Sequence, residues 1–279
     1  MKKTRTFFAN ILTVLLGLFY LSPFYIILVN SFKDRAEMNK NVLALPQSWS
    51  LQYYAEAMRK MNFFQAFLNS IKVTGSSILF IILLSSMCAW MLARTKTKTS
   101  KLIYTLFIAT MIIPFQSIMM PLMTFMGQLK LLTGLPFVNS HAGLIFMHIG
   151  FSVGMAVFLY HGFVSTVPIS IEEAGTIDGC NRFQLFWKVV FPTLKPISMT
   201  VMILNAISLW NDYLLPSLVL PTPSLRTIPL STFYFFGEFT IQWNLSMAGL
   251  ILTMLPILVF YVFSQKYIVK GIASGAVKL

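Results

Sequence analysis

Hydrophobic residues occur along this chain in six long runs, and short polar segments separate the runs. In chain order, the runs cover approximately residues 8–31, 68–92, 103–126, 142–161, 194–216 and 246–264. A helix of about 20 apolar residues is long enough to cross about 30 Å of hydrocarbon. We therefore predict six transmembrane helices. They leave no room for a second large domain, so we expect residues 1–279 to form one transmembrane domain.

The amino-acid composition supports a location in the bilayer. Hydrophobic residues make up 57% of the chain and charged residues 10%, and the mean hydropathy is +0.75. A water-soluble domain of 279 residues with this composition would have nowhere to place its apolar surface. The composition therefore indicates an all-α integral membrane protein.

The basic residues predict the orientation of the chain. The first run follows a basic N-terminus, as in a secretory signal, but it continues to Val29 without a small-residue cleavage site, which favours an uncleaved helix. A cytoplasmic N-terminus places thirteen of the 21 Lys and Arg residues inside: Lys2, Lys3, Arg5, Arg94, Lys96, Lys98, Lys101, Arg182, Lys188, Lys195, Lys266, Lys270 and Lys278. Cytoplasmic loops are enriched in Lys and Arg, so we predict that both termini are cytoplasmic.

The net charge of +13 raises the possibility of a nucleic-acid partner. The basic residues are divided among short loops, however, and are not gathered on one face with interleaved aromatic residues. We therefore predict no nucleic-acid partner. Cys88 lies inside a predicted span and Cys180 in a loop, a placement that favours neither a disulfide nor a metal site.

A polar segment at residues 168–192 interrupts the hydrophobic pattern after the fourth run. Ser170 is followed three residues later by Glu173, the spacing of a capping box that starts a helix. Gly179 supplies the backbone freedom that ends a helix. We therefore predict a short helix that begins at Ser170 and ends at Gly179.

A second short helix follows in the same segment. Asn181 and Gln184 repeat the start signal. An apolar stripe at helical spacing continues until Pro192, which we expect to stop the helix, and it consists of Phe183, Phe186, Trp187 and Val190. The segment therefore reads as a helix-turn-helix between two membrane spans.

These residues resemble the "EAA" loop of permease subunits in ATP-binding-cassette (ABC) importers, whose pattern is E-A-A-x-x-x-G-x9-I-x-L-P. Glu173, Ala174, Gly179, Val189 and Pro192 are in register with it, while Gly175 replaces the second alanine and Phe191 the leucine. In that family the loop is the coupling helix, which docks into a cleft on a cytoplasmic ATPase. The resemblance implies these coupling residues: Glu172, Glu173, Ala174, Gly175, Asp178, Gly179 and Pro192. The alternative is an ordinary cytoplasmic loop helix.

Two further regions are similar to the carbohydrate-importer branch, with the maltose-type second permease subunit as the nearest likeness, so the similarity covers essentially the whole chain. The similarity near the C-terminus rests on Trp210-Asn211-Asp212-Tyr213, Trp243, Gln265-Lys266-Tyr267 and Gly275-Ala276-Val277-Lys278, and that in the first outer loop on Ser31-Phe32-Lys33, Leu45-Pro46 and Tyr53-Tyr54. It implies the type I ABC importer permease fold, with six transmembrane helices and a cytoplasmic coupling helix. It also implies an oligosaccharide as the sugar substrate, a second permease subunit, two ATPase subunits and an external solute-binding protein, in a bacterial or archaeal plasma membrane.

Four polar residues are candidates for the translocation pathway: Gln116, Asn205, Asn211 and Asp212. Asp212 is the only acid within a predicted span, and such a charge is costly unless it is paired, hydrated or near the interface. It faces an outer vestibule or serves as an interfacial anchor. The amides of Gln116 and Asn205 bind sugar hydroxyls or neighbouring helices.

Two features at helical spacing concern helix packing. Gly150 and Gly154 form a G-x-x-x-G pair with Gly143 on about the same face, which lets two helix backbones approach closely. Pro114, Pro121 and Pro256 lie in or near spans, where proline permits kinks.

We also predict that the outer loop 221–243, which is rich in aromatic residues, contacts the binding protein.

Missing motifs narrow the mechanism. The sequence has no G-x-x-x-x-G-K-[ST] phosphate loop, so we expect that the chain is not an enzyme, that it binds no cofactor, and that partner subunits use ATP and Mg²⁺. His141, His148 and His161 lack a catalytic context, which favours interfacial or packing roles. The alternatives are an ion-coupled secondary transporter, which predicts ionisable residues clustered at mid-membrane, and a non-transporting scaffold.

Overall fold

The computed structural model describes residues 2–237 and 241–276, and this part of the chain is almost entirely helical. A single isolated antiparallel bridge joins Phe236 and Ile241 within it. Helices satisfy the backbone hydrogen-bonding groups within one segment, as a chain that crosses hydrocarbon requires. The prediction of an all-α membrane protein is confirmed.

Four helices are each long and apolar enough to cross a membrane. They are α1 (Lys2–Asn30), α4 (Phe63–Arg94), α7 (His141–Thr166) and α14 (Trp243–Ala276), and the short helices α2 (Arg35–Lys40) and α3 (Gln52–Lys60) lie between the first two. Each of the four extends beyond its predicted apolar run at one or both ends. The hydrophobic pattern marks the apolar stretch, whereas the helix continues into its polar flanks.

The third predicted span, 103–126, is not one continuous helix. It consists of α5 (Lys98–Thr110) and α6 (Phe115–Thr133), and their axes are bent by 104°. Pro114 has an extended backbone, with φ −69° and ψ 129°, immediately before α6. Proline lacks an N–H and disfavours a helical conformation in the preceding residue, so the helix ends before it. Pro121, in contrast, lies inside α6.

The polar segment after α7 forms α8 (Ser170–Ile177) and then a second helical stretch, Arg182–Thr193. This stretch consists of α9 (Arg182–Leu185), a π-helical turn (Phe186–Val190) and α10 (Phe191–Thr193). Pro192 was predicted to stop the helix, which is wrong, because α10 continues through it to a break at Leu194. The π-helical turn before Pro192 uses wider i→i+5 hydrogen bonding.

The fifth predicted span begins after that break. Helix α11 (Lys195–Trp210) is bent by 74° from the Arg182–Thr193 stretch and ends before the predicted limit of the span at residue 216. Residues 211–213 interrupt the helix, and the short helices α12 (Leu214–Val219) and α13 (Ile228–Thr232) follow. If each of the two bent pairs is one span, the described chain has up to six candidate spans.

The chain divides into two compact units. The first contains the chain up to Phe64 together with Leu230–Pro256. The segment that follows α1 in this unit is internally bonded: the buried Lys33 Nζ donates to Asn41 O at 3.0 Å, and the hydroxyls of Ser31 and Tyr54 lie 2.6 Å apart. Burial raises the pKa of the Tyr54 phenol, and the hydrogen bond with Ser31 lowers it.

The second unit contains Gln65–Pro229 and the chain from Ile257 onward. One cluster of buried residues joins α4, α7 and α11 to the π-helical turn, and it includes Ile81, Val157, Phe186, Leu194 and Val201. Tyr160 lies in the same cluster and donates its hydroxyl to Ser198 Oγ at 2.8 Å. The later part of the polar segment, from Leu185 onward, is therefore packed into the core of this unit.

Candidate functional site

The start of α8 differs from the predicted capping box. Ile169 already has helical dihedral angles, φ −64° and ψ −30°, and its carbonyl accepts from the N–H groups of Glu172 and Glu173 at 2.8 and 3.0 Å. Pro168, whose ring fixes a helical φ, precedes this turn. Because helical geometry begins before Ser170, its hydroxyl is not at the N-cap position, and the prediction of a capping box there is wrong.

The end of α8 and the start of α9 agree with the sequence predictions. Gly179 has φ +83°, and the N–H groups of Gly179 and Cys180 donate to Thr176 O and Gly175 O at 3.1 and 3.0 Å. This is a Schellman motif. Asn181 and Gln184 form the predicted reciprocal capping box, with distances of 2.9 and 3.1 Å. Both signals act over a few residues, which is why the sequence reveals them.

The predicted apolar stripe after Asn181 is only partly correct. Phe186 and Val190 are buried, but Phe183 is 66% exposed, and Leu185 is buried instead. Both departures lie in α9, whereas the two buried members of the predicted stripe lie within the π-helical turn.

A buried carboxylate fastens α8 to the end of α4. Glu172 Oε2 accepts from Trp90 Nε1 at 3.0 Å, and Glu172 Oε1 accepts from Arg94 Nε at 2.9 Å and lies 2.8 Å from Arg94 Nη2. Arg94 Nη2 also donates to Val167 O at 2.9 Å. We call Trp90, Arg94 and Glu172 the clasp. Of the predicted coupling residues, Glu172 is thus the one whose carboxylate is bonded within the chain.

The opposite face of α8 is open. Glu173, Ala174 and Asp178 are exposed, and the apolar side chains of Ile171 and Ile177 are 40% and 86% exposed. These five residues form what we call the open face of α8. A short helix that presents apolar and acidic side chains together can bind a partner with an apolar groove and basic groups.

Gly175 and Pro192, two further predicted coupling residues, occupy different environments. Gly175 is buried, and a Cβ there would lie 2.7 Å from Leu185 Cδ1, so α8 and α9 are closely packed. Pro192 is exposed on α10, beyond the π-helical turn. A cleft of about 540 Å³ lies beside the clasp, and Arg94, Glu173 and Arg182 contribute to its lining.

A second cleft, of about 410 Å³, brings together two of the four predicted pathway residues, Gln116 and Asp212. We call it the polar cleft. Asn205 and Asn211 are not among the residues that line it. Their amides donate to carbonyls one turn earlier on their own helix, Val201 O at 2.9 Å and Ile207 O at 2.8 Å. The sequence reasoning missed Ser152 and Ser208, which line the polar cleft.

His148 also lines the polar cleft, and its role differs from the predicted packing role. Its Nε2 lies 3.1 Å from Asp212 Oδ2, and the imidazole is 3% exposed, compared with 25% for the Asp212 side chain. Asp212 Oδ1 accepts from Leu215 N at 3.4 Å. An acid within a span needs a partner, which was the only sequence signal that could have pointed to this histidine. The structure describes no group of three His, Cys, Asp or Glu residues that could hold a metal ion in residues 2–237 and 241–276.

Comparisons with known proteins place these sites in context. The family described as "binding-protein-dependent transport system inner membrane component" matches residues 81–274. The chain is 45% identical to the probable starch degradation products transport system permease protein AmyC of Thermoanaerobacterium thermosulfurigenes, over 98% of this chain and 97% of that protein. It is 34% identical to the melibiose/raffinose/stachyose import permease protein MelC of Bacillus subtilis, over the full length of both.

The fold also has a counterpart among solved structures. A chain of a bacterial ABC transporter involved in the import of the acidic polysaccharide alginate superimposes with a TM-score of 0.77. The match covers 94% of this chain and 96% of that chain at 21% sequence identity. The predicted type I ABC importer permease fold is confirmed.

Proposed function

The chain belongs to the family of binding-protein-dependent transport system inner membrane components, and we propose that it is the permease subunit through which a sugar, specifically an oligosaccharide, enters the cell. The names of the two relatives support a saccharide substrate, because one refers to starch degradation products and the other to melibiose, raffinose and stachyose. The protein is a multi-pass membrane protein. We propose a plasma-membrane location with both termini cytoplasmic, on the distribution of Lys and Arg.

The proposed assembly follows from the family. This chain forms half of a pore with a second permease subunit, two cytoplasmic ATPase subunits bind ATP and Mg²⁺, and an external solute-binding protein delivers the sugar. The chain itself lacks a phosphate-binding loop in its sequence. The energy for transport therefore has to reach its helices mechanically, through contact with the ATPases.

The observation that carries the proposal is the division of α8 into a fastened face and an open face. Glu172 is held by Trp90 and Arg94, so α8 is fixed to the end of α4. Glu173 and Ile177 are exposed and available to a partner. A helix held on one side and free on the other suits docking into an ATPase cleft, with the apolar groups desolvated and the acids paired to basic groups.

Packing then extends the effect of docking beyond the loop. Phe186, Val190 and Leu194 are buried in the same cluster as residues of α4, α7 and α11. Packed interiors resist compression and transmit displacement. When the ATPases close on ATP, a displacement of α8 reaches α4 through the clasp and the other two helices through this cluster. The expected result is rigid-body tilting that opens the pathway alternately to each side.

The loop 221–243 is our proposed contact with the binding protein, although residues 238–240 lie outside the described chain. Its first part is fixed: Asn69 Nδ2 donates to Ser224 O at 2.9 Å and to Arg226 O at 3.0 Å. Phe233 is 45% exposed, whereas Phe235 is buried and unavailable to a partner. Shortening the exposed part of this loop should abolish stimulation of ATP hydrolysis by the sugar-loaded binding protein.

The test of the main proposal is sugar uptake by the whole assembly in proteoliposomes, with ATP inside and sugar-loaded binding protein outside. Radiolabelled maltotriose, a starch degradation product, serves as the first probe. Glu173→Lys places a cation on the open face of α8, where like-charge contacts with a basic partner cost several kcal/mol. We expect uptake and stimulated ATP hydrolysis to fall together by more than about tenfold. Glu173→Gln is the matched control and should lose less.

Three results would contradict the proposal. Unchanged uptake by Glu173→Lys, at equal amounts of assembled complex, would make the loop an ordinary connection. Uptake by this chain without ATPase subunits, driven by an ion gradient, would identify an ion-coupled transporter. ATPase binding by the wild type without uptake of any saccharide tested would leave only a scaffold.

A further inference from the structure

Asp212 has unused hydrogen-bonding capacity that faces the polar cleft. One carboxylate oxygen lies 3.1 Å from His148 Nε2 and the other accepts weakly from Leu215 N at 3.4 Å. A carboxylate offers about four lone-pair sites. Because the Asp212 side chain is 25% exposed while its partner His148 is almost fully buried, the remaining sites are open to whatever occupies the cleft.

The pairing with His148 fixes the position of this carboxylate. His148 is a buried residue of α7. The other nitrogen of its imidazole, Nδ1, is buried without a hydrogen-bond partner among the described residues. The ring therefore directs its single hydrogen bond at Asp212. A polar group fixed in one orientation before a ligand arrives binds that ligand with a smaller entropic cost.

Other groups in the cleft complement the carboxylate. Gln116 and Ser208 are exposed and line the same cleft, and each can both donate and accept a hydrogen bond. The rings of Phe115 and Phe151 form an apolar wall, with centroids 5.2 Å apart in an edge-to-face arrangement. The volume of about 410 Å³ falls within the range of small-molecule sites.

This combination matches one ligand class. A saccharide presents hydroxyl groups around its edge and C–H groups on its faces, so it needs fixed polar groups and an aromatic wall together. A partly exposed carboxylate within a helical membrane region also needs water or a polar ligand beside it, because its charge is costly in hydrocarbon. The hydroxyl groups of a sugar can bind the fixed polar groups and provide the polar neighbour that the carboxylate needs, while its C–H faces contact the aromatic wall.

We propose that the polar cleft is a saccharide-contact site, in which Asp212 accepts hydrogen bonds from sugar hydroxyls and His148 positions the Asp212 carboxylate. Gln116 and Ser208 bind further hydroxyls, and the Phe115 and Phe151 rings contact the sugar face. The site lies on this permease chain itself, and it rests on the proposed function, since it assumes that a sugar passes through the protein.

The experiment compares uptake of maltotriose and raffinose by the complete assembly in proteoliposomes, with binding-protein-stimulated ATP hydrolysis measured in the same preparation. Asp212→Asn keeps the size of the side chain and removes its charge. Losing hydrogen bonds to a charged group should lower the rate of sugar uptake about tenfold, while stimulated ATP hydrolysis stays within twofold of the wild type. Gln116→Leu, which removes an exposed amide, should change the ratio of maltotriose to raffinose uptake at least threefold.

A matched control is available close by. Ser217→Ala removes a hydroxyl on α12 that donates to Leu214 O at 2.7 Å and does not line the cleft. It should leave both rates unchanged. His148→Gln should lower uptake less than Asp212→Asn does, because it loosens the carboxylate without removing it.

The outcomes separate the two proposals. If the wild type takes up no saccharide, the proposed function fails. If the wild type takes up sugar but Asp212→Asn and Gln116→Leu leave uptake and its sugar ratio unchanged, only the saccharide-contact site is overturned. The site is also overturned if uptake and ATP hydrolysis fall in parallel while the ratio of maltotriose to raffinose uptake stays constant. The His148–Asp212 pair would then have only a structural role.

Discussion

The clasp and the polar cleft each contain a carboxylate, but the two carboxylates differ in their hydrogen-bond partners and in their exposure. Glu172 is bound by Trp90 and Arg94 through contacts of 2.8 to 3.0 Å, and its side chain is 11% exposed. Asp212 has one close partner, His148, at 3.1 Å and is 25% exposed. A carboxylate with both oxygens bound closely by side chains of another helix holds two segments together, whereas one with a single close partner can bind a ligand.

The way in which the partner binds differs as well. Arg94 meets the Glu172 carboxylate through two nitrogen atoms, Nε and Nη2. His148 meets the Asp212 carboxylate through one nitrogen atom, Nε2. The first arrangement suits a mechanical connection, and the second suits a site whose occupant changes during each transport cycle.

The largest effect should come from breaking the clasp. Arg94→Ala leaves the buried Glu172 without its cation, and removing one partner of a buried ion pair costs about 3 kcal/mol or more. We expect the thermal midpoint of the detergent-solubilised assembly to fall by roughly 5 to 10 °C, with loss of ATP-driven uptake. Thermal denaturation monitored by size-exclusion chromatography measures the first effect, and vesicle uptake the second.

A double variant separates stability from coupling. Arg94→Met with Glu172→Gln removes both charges and keeps an acceptor for Trp90 Nε1, so it should recover most of the lost stability, since replacing a whole buried pair is often neutral. Uptake should remain low, because the guanidinium no longer ties α4 to Val167 O. Full recovery of uptake would show that the clasp has no role in coupling.

The second effect concerns the wall of the polar cleft. A Cβ on Gly154 would lie 2.4 Å from Thr110 Oγ1 and 2.7 Å from Phe107 O, so Gly154→Ala forces α5 away from α7 at the place where α5 ends. Overpacking of this kind costs about 1 to 3 kcal/mol. We expect a lower thermal midpoint and slower sugar uptake, measured as for Arg94→Ala.

Gly150 is the matched control for that prediction. It lies one turn from Gly154 on α7, and a Cβ there would meet nothing within 4 Å. Gly150→Ala should be neutral or stabilise the helix by up to about 1 kcal/mol. Equal destabilisation by both substitutions would mean that the close approach of α5 and α7 at Gly154 is not what matters.

A smaller effect is expected at Gly175 in the coupling segment. Gly175→Ala restores the alanine of the EAA pattern and gains about 1 kcal/mol of helix propensity. It also requires Leu185 Cδ1 to move from a distance of 2.7 Å, and the end of a leucine side chain moves readily. We expect stability and uptake within twofold of the wild type. A strong loss of uptake would show that Leu185 cannot move and that the contact between α8 and α9 tolerates no extra volume.

The smallest effect should follow from Asn211→Ala. This residue is adjacent to Asp212, but its amide binds Ile207 O on its own helix and does not line the polar cleft. Uptake should stay within twofold of the wild type in the assay used for Asp212→Asn. If Asn211→Ala matched Asp212→Asn, the boundary that we draw for the cleft would be wrong.

The features that sequence predicted are those fixed by nearby residues. Apolar runs predicted the long helices, Gly179 predicted the end of α8, and Asn181 with Gln184 predicted the start of α9. Each of these signals acts within a turn or two of helix, where spacing along the chain equals spacing in the structure.

The features that sequence missed depend on distant residues. Arg94 and Glu172 are 78 positions apart, and His148 and Asp212 are 64 apart. No local pattern states which of several buried polar residues will meet. The break at Pro114 was visible as a proline, but its angle of 104° depends on how α5 and α6 pack. At Pro192 the sequence predicted the end of a helix where the structure has none. The π-helical turn before it accommodates a residue that usually ends a helix.

The bend at Leu194 determines the direction in which a movement of the coupling segment continues. The Arg182–Thr193 stretch and α11 meet at 74°, so a shift along the axis of the first is almost entirely sideways for the second. Such a shift would therefore drive α11 along its own length only slightly. It would instead tilt α11 as a rigid body, and the helix would not have to stretch or unwind.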